Sequence, residues 1–444
     1  MNKENKMGYA PILPLILKMS LPAMFSMLIQ SLYNIVDSYF VGKISEEALR
    51  ATSLSFPIQI MIIAFGVGTG VGVSSYVARS LGANRQKEAD NAAMHGLVLA
   101  LLTWLVMIFF GVFLSRPFIS IFTSNENVIE MGHQYLAIIS GFGIFSLIHI
   151  VGEKTIQGSG NMIIPMIAQT VGAIINIILD PIFIFTFGMG IKGAAIATII
   201  GQSFSALISL YGLFRKESLL KMDFKNFKFN VPMVKQIYEV GFPSILMQSV
   251  GAFLVIFLNR IVGQFTEVAV SVLGVYFKLE SFVMMPVYGL GQGILPLVAF
   301  NYGAHQYERI HQTYHYGVRI SFVLMLIGLI IFQIFPAQLM GIFTDDMAMI
   351  TMGVRTLRII SLYFIPASLA IINSIYFQSM GIGRYSLIVS FLRQIGLLLP
   401  LAHLFANFGL DYVWFAYPVA EILTLFVSMR FYRKTNEEKL LTSN

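Results

Sequence analysis

Long apolar runs separated by short polar clusters occupy the chain from end to end. An α-helix needs roughly 20 apolar residues to cross a bilayer. Twelve runs meet that length, at 14–41, 52–80, 91–115, 128–153, 163–187, 191–214, 235–262, 271–301, 314–336, 353–379, 385–407 and 411–433. Several exceed it, so tilting, bending or extension beyond the lipid is expected. The pattern predicts an all-α integral membrane protein with twelve transmembrane helices.

Composition agrees. The 444 residues are 57% hydrophobic and 11% charged, against about 25% charged in an average soluble domain, and the mean hydropathy is +0.76. The polar, mixed-charge start and the overlong first run do not fit a cleavable signal peptide. No cysteine is present, which excludes disulfides and thiolate metal sites. The pI near 9.3 raises nucleic acid as a partner, but the basic residues fall in loops. Arg79, Arg85 and Lys87 follow the second span. Arg215, Lys216, Lys221, Lys225, Lys228 and Lys235 follow the sixth, and Arg309, Arg384, Arg433, Lys434 and Lys439 continue on the same side. The opposite side carries fewer basic residues and holds Asp345, Asp346 and Asp411. The positive-inside rule then predicts a multi-pass plasma-membrane protein with both termini cytoplasmic.

The chain also matches itself. At an offset of 221 residues, Pro22 falls on Pro243, and Gly68, Gly70 and Gly72 fall on Gly289, Gly291 and Gly293. Gly82-Ala83 falls on Gly303-Ala304, Ile121-Phe122-Thr123 on Ile342-Phe343-Thr344, and Gln157, Gly160 and Gly188 on Gln378, Gly381 and Gly409. Six spans per half is an even number, so the halves are parallel repeats related by an axis along the membrane normal. The expected organisation is an N-terminal six-helix lobe (1–214), a basic cytoplasmic linker (215–234) and a C-terminal six-helix lobe (235–444). Two such lobes around a cleft suit a transporter that rocks between inward-open and outward-open states.

The repeat is an internal control for the polar residues. Asp37 maps to Leu258, Asn176 to Leu397, Asp180 to Leu401 (or to Leu399 if Pro181 is paired with Pro400) and Thr198 to Val419. These polar groups are therefore specific to the N-terminal lobe. Ionisable groups at membrane depth cost several kcal/mol and are by default functional. Gln30, Asn34 and Asp37 share a face of the first span, and Gln169, Asn176 and Asp180 a face of the fifth. Facing stripes would form a pocket of carboxylate and amide oxygens, hard ligands for a small cation. A carboxylate kept from water favours its protonated form, so H⁺ and Na⁺ are both candidates. Pro181 lacks an N–H and should free a carbonyl near Ile177, letting the helix change shape.

At these residues the chain resembles the multidrug and toxic compound extrusion (MATE) family. The segments that carry the resemblance are "SLPAMFSMLIQSLYNIVDSYFVG", "YVARSLGANRQKEA", "QGSGNMIIPM", "NIILDPIFIF" and "GIKGAAIATIIGQ". The resemblance implies two six-helix bundles, drug efflux driven by H⁺ or Na⁺ entry, and a cation site at Asp37, Asn176, Asp180 and Thr198, with Asn34 nearby. It is closer to the DinF-like and archaeal branch. The NorM branch also uses acids in helices 7 and 10, where "SILMQSVGAFLVIFLNRIVG" and "LRIISLYFIPASLAIINSIYFQSM" have none.

The remaining charges have two readings each. Glu280 either attracts a cationic drug or pairs with Lys278 or Arg260. Arg393 and Glu421 fit a buried ion pair. Glu153-Lys154, at the cytoplasmic end of the fourth span, either faces water or makes a structural link. Flexible methionines and aromatic faces suit flat apolar cations, so Gln30, Glu280, Met284, Met285 and Tyr288 are expected in the substrate cleft. No cofactor is implied beyond the coupling ion, and small amphipathic molecules and the bilayer are the expected partners of a monomer. A lipid-linked precursor flippase of related fold should show an extra pair of helices or a strongly cationic cleft, and neither is evident in the sequence. A major-facilitator porter should show a charged glycine motif that "ARSLGANRQKEA" does not match. No nucleophile–base or metal constellation points to an enzyme.

Overall fold

Ser45 and Thr266 stand 221 residues apart and begin their helices the same way. Each side chain accepts a backbone N–H of the first turn, from Ala48 and Val268, and acids follow at Glu46, Glu47 and Glu267. Both features stabilise a helix start. Asn125 and Asp346, again 221 apart, cap the fourth and tenth spans. The turns repeat too. Asn84 and His305 take left-handed φ values of 58° and 55°, and so do Gly160 with Gly381 and Gly188 with Gly409. The duplication thus extends to cap chemistry and loop geometry.

The computed structural model describes residues 5–223 and 227–437, apart from the side chain of residue 252; Lys225 and Lys439 lie outside the described residues. It is all-helical, with no strand among those residues. The membrane helices are α1 (Ile12–Gly42), α2 (Glu46–Gly82), α3 (Gln86–Ser120), α4 (Glu126–Gly141 and Ile144–Gly158, bent by 49°), α5 (Ile163–Thr186), α6 (Gly190–Phe214), α7 (Val231–Gly263), α8 (Glu267–Gly303), α9 (Tyr307–Ile334), α10 (Met347–Ser379), α11 (Gly383–Ala406) and α12 (Leu410–Asn436). Many start earlier than hydropathy suggests, because caps rather than apolar content set the ends. Asn230 caps α7, with Pro232 in its first turn, so the helix opens at Val231. The "HQTYHYG" stretch (311–317) lies in the first turns of α9, which opens at Tyr307.

Equivalent helices pack alike in the two halves. α1 packs on α5 as α7 does on α11, α4 on α6 as α10 does on α12, and α2 on α3 as α8 does on α9. The bundles meet through α1 against α8 and α2 against α7, with α2 crossing α8. The repeated glycines make these contacts. A Cβ at Gly72 would strike the Ile237 carbonyl, and one at Gly293 would strike Ser20. Gly82 and Gly303 place α2 and α8 backbones against each other. Small residues permit such close approach in lipid. Ser75 Oγ donates across the interface to the Gln378 carbonyl (2.9 Å). Arg309 donates to the carbonyls of Met7 and Ala10 (3.0 and 2.8 Å), fastening the N-terminal segment to the C-terminal bundle. These contacts gather on the side of the termini.

Candidate functional site

Between the bundles, beyond the terminal-side contacts, lies a cavity of about 860 Å³. Gln157 Nε2 donates to Gln292 Oε1 (3.0 Å), linking α4 to α8, and Gln292 in turn donates to Met27 Sδ of α1 (3.1 Å). Gln30, Asn34, Gln169, Asn176, Thr198, Glu280, Met285 and Tyr288 all line the walls. Met284 does not. It is 4% exposed and belongs to the C-terminal core with Val287 and Met325. One helical residue is a 100° turn, so Met285 and Met284 face different neighbours. Asn34 stands exposed on the cavity wall.

Behind the N-terminal wall, α1, α5 and α6 assemble the predicted polar group. Asn176 and Asp180 are one turn apart on α5, and Asn176 Nδ2 donates to Asp180 Oδ1 (3.2 Å) and to Thr198 Oγ1 (3.4 Å). All three are buried. Asp37 of α1 is within electrostatic reach of Asp180. Tyr33 and Tyr135 are within electrostatic reach of both acids. Asp37 Oδ1, Asn176 Oδ1 and Asp180 Oδ2 are buried with no hydrogen-bond partner among the described residues. Burying an acceptor unpaired is costly, so unsatisfied oxygens on Asp180, on Asn176 one turn before it and on Asp37 within its electrostatic reach fit a small cation. Pro181 has no N–H to give the Ile177 carbonyl, yet α5 does not end there. The α-helix runs through it and relaxes afterwards into a π-helical turn at Ile182–Thr186, where Phe187 N donates to the Ile182 carbonyl (2.9 Å). Such turns often mark functional positions.

A second polar group, on α4, does not sit in bulk water. Lys154 is 8% exposed. Its Nζ donates to Glu153 Oε1 (3.1 Å) and Gln157 Oε1 (3.3 Å). His149 contacts Ser209 Oγ (3.2 Å) and Gln169 Oε1 (3.0 Å), so Gln169 serves this group rather than Asn176. Composition hid His149 and the tyrosines, but spacing carries a signal. Asp37, Glu153, Asp180, Glu280 and Glu421 each follow a polar ring or amide by four residues: Tyr33, His149, Asn176, Tyr276 and Tyr417. That spacing puts both groups on one helix face.

The third group is in the C-terminal bundle. Glu280 pairs with neither Lys278 nor Arg260. Lys278 is exposed and lies over the Phe343 ring (5.7 Å), and Arg260 is exposed. Glu280 instead accepts a hydrogen bond from Tyr363. Arg393 Nε binds Glu421 Oε2 at 2.8 Å, the expected buried pair.

Two matched six-helix bundles around a polar-lined cavity define a polytopic membrane transporter. The MatE family model matches residues 22–182 and again 243–404, the second match starting at the repeat equivalent of Pro22. The chain belongs to the MatE family, whose members are transporters and not enzymes. It is 25% identical over 433 residues to the multidrug export protein MepA of Staphylococcus aureus (strain MRSA252), covering 96% of this chain and 95% of that protein. A crystal structure of MATE in complex with MaL6 is 26% identical, with a TM-score of 0.94 over 99% of both chains. The outward-facing conformation of a multidrug resistance MATE family transporter of the MOP superfamily is 26% identical, with a TM-score of 0.94 over 98% of both.

Proposed function

We propose that this protein is a cation-coupled exporter of amphipathic organic cations, set in the plasma membrane with both termini cytoplasmic. The observation that carries the reading is the pair of carboxylates, Asp37 and Asp180, whose free oxygens meet no basic side chain among the described residues. Buried carboxylates without a basic partner need another cation to compensate them. H⁺ and Na⁺ both suit the oxygens of Asp37, Asn176, Asp180 and Thr198. The coupling ion enters from the open side and favours one arrangement of α1 and α5, to the extent that it binds the two states differently. Substrate occupies the cavity and leaves as the bundles rock.

Export of drugs is supported by the similarity to MepA. The outward-open state is supported by lobe contacts on the terminal side and by the likeness to an outward-facing transporter. Membership of the DinF-like branch is supported by acids on α1 and α5 and by the lack of any on α10 or on α7 after Ser244. A lipid-linked precursor flippase fits less well. The charged residues lining the cavity are Glu153, Glu280 and Glu421 against Lys154 and Arg393, the opposite of a cationic cleft.

Asp37→Asn should abolish drug resistance in cells at unchanged surface expression. Resistance equal to wild type would remove Asp37 from the mechanism.

A further inference from the structure

Two left-handed turns, equivalent in the repeat, lie where the lobes meet: Gly160 between α4 and α5, and Gly381 between α10 and α11. Each is covered by a group held in the opposite half. A Cβ on Gly381 would strike the guanidinium of Arg79, which belongs to α2. A Cβ on Gly160 would stand 3.2 Å from Met7 Cε. Met7 precedes α1, yet its backbone is bonded to the C-terminal bundle. Its carbonyl accepts from Asn301 Nδ2 (3.1 Å) and Arg309 Nη2 (3.0 Å), and the Ala10 carbonyl also accepts from Arg309 (2.8 Å). Arg309 is itself fixed by donating to Asn301 Oδ1 (3.1 Å).

Residues 5–10 therefore hold both halves at once. On the N-terminal side, Asn5 Nδ2 donates to the Ser159 carbonyl (3.3 Å). Met7 is 1% exposed and shares an apolar cluster with Met162 of the α4–α5 turn and with Leu297 and Phe300 of α8. The two holds are unequal. Two donations from a guanidinium and one from an amide tie the segment to α8 and α9. One amide and one apolar side chain tie it to the turn. Bonds from a charged donor are the stronger kind. Parting the α4–α5 turn from α8 and α9 thus breaks the second hold and keeps the first.

We propose that residues 5–10 form a latch across the terminal-side closure. Asn301 and Arg309 anchor it, Met7 seats it on the Gly160 turn, and the seat empties each time that side opens. This rests on the rocking reading and adds the part that sets how often the closed side opens. The Met7 side chain is kept from water only while the turn and α8 stay together, so its burial favours the closed arrangement. An unbranched thioether suits a contact that must be made and broken, because it fits an irregular gap without strain.

The test is the rate of N-ethylmaleimide labelling of full-length protein in detergent, with Ser75→Cys as its one cysteine. Ser75 is fully buried between the halves, so its thiol reacts when they part. Met7→Ala and Arg309→Gln should each raise the rate at least threefold, and Met7→Ala serves alone if Arg309→Gln does not fold. Met7→Leu keeps the apolar volume and should keep the unmodified rate. A separate reporter, Ser321→Cys, is buried inside the C-terminal bundle and should stay unlabelled in every latch variant. An unchanged rate in Met7→Ala would overturn the latch, as would equal acceleration in Met7→Leu or at Ser321→Cys. Ethidium export keeps the two claims apart. Full export with unchanged labelling in Met7→Ala sinks the latch and leaves the exporter reading, and faster labelling in a protein that exports nothing does the reverse.

Discussion

Asp180 shows how much one helix turn decides. Its Oδ1 takes the Asn176 amide and its Oδ2 takes nothing, so the group is half-satisfied without a cation. Asn176 holds the arrangement by donating to both Asp180 and Thr198. Asn176→Ala removes both donations and leaves Asp180 without its amide partner; a hydrogen bond to a carboxylate contributes about 1.5–3 kcal/mol and one to a hydroxyl about 0.5–1.5 kcal/mol. Export should therefore fall by at least tenfold, read as initial ethidium efflux at matched protein level. Thr198→Ala keeps the Asn176–Asp180 bond and should cost less than Asn176→Ala. The acids, Asn176 and Thr198 were legible in the sequence because the second repeat carries apolar residues in their places. Met284 and Met285 were not separable, since adjacent residues need a helix phase that composition does not supply. His149 was missed because a lone histidine in an apolar run resembles core, although its four-residue spacing from Glu153 was available.

The helices of the two lobes are joined by matched glycines, and this makes the interface testable by symmetry. Gly72→Leu and Gly293→Leu should each drive a side chain into a facing helix backbone. Overpacking typically costs 1–3 kcal/mol, and both variants should show a clearly lowered Tm in detergent, by similar amounts. Gly188→Ala is the control. Nothing lies within 4 Å of its Cβ position, but φ is +64°, so only the left-handed backbone penalty of about 1 kcal/mol applies. A larger Tm loss at Gly188 than at Gly72 would remove the packing explanation. The repeat and the helix count could be read from the chain because close packing and turns demand glycine at fixed places. The π-turn after Pro181 could not. A proline marks where a helix loses a hydrogen bond, while the turn's position depends on what α5 packs against.

The two lobes touch on the side of the termini, and the proposed rocking cycle requires that side to open. Ser75 and Gln378 touch across the lobes there, and the chain has no native cysteine. Oxidation of a Ser75→Cys/Gln378→Cys pair should therefore lock the lobes and stop export, with reduction restoring it. Undiminished export from the cross-linked protein would exclude rocking about this contact. The coupling itself is tested most directly in proteoliposomes, with ethidium transport followed under an imposed pH gradient and, separately, an imposed Na⁺ gradient. At least one gradient should drive ethidium against its concentration in the wild type and drive none in Asp37→Asn. Gradient-driven transport that persists in Asp37→Asn, or wild-type transport indifferent to both gradients, would refute cation coupling through the Asp37–Asp180 site.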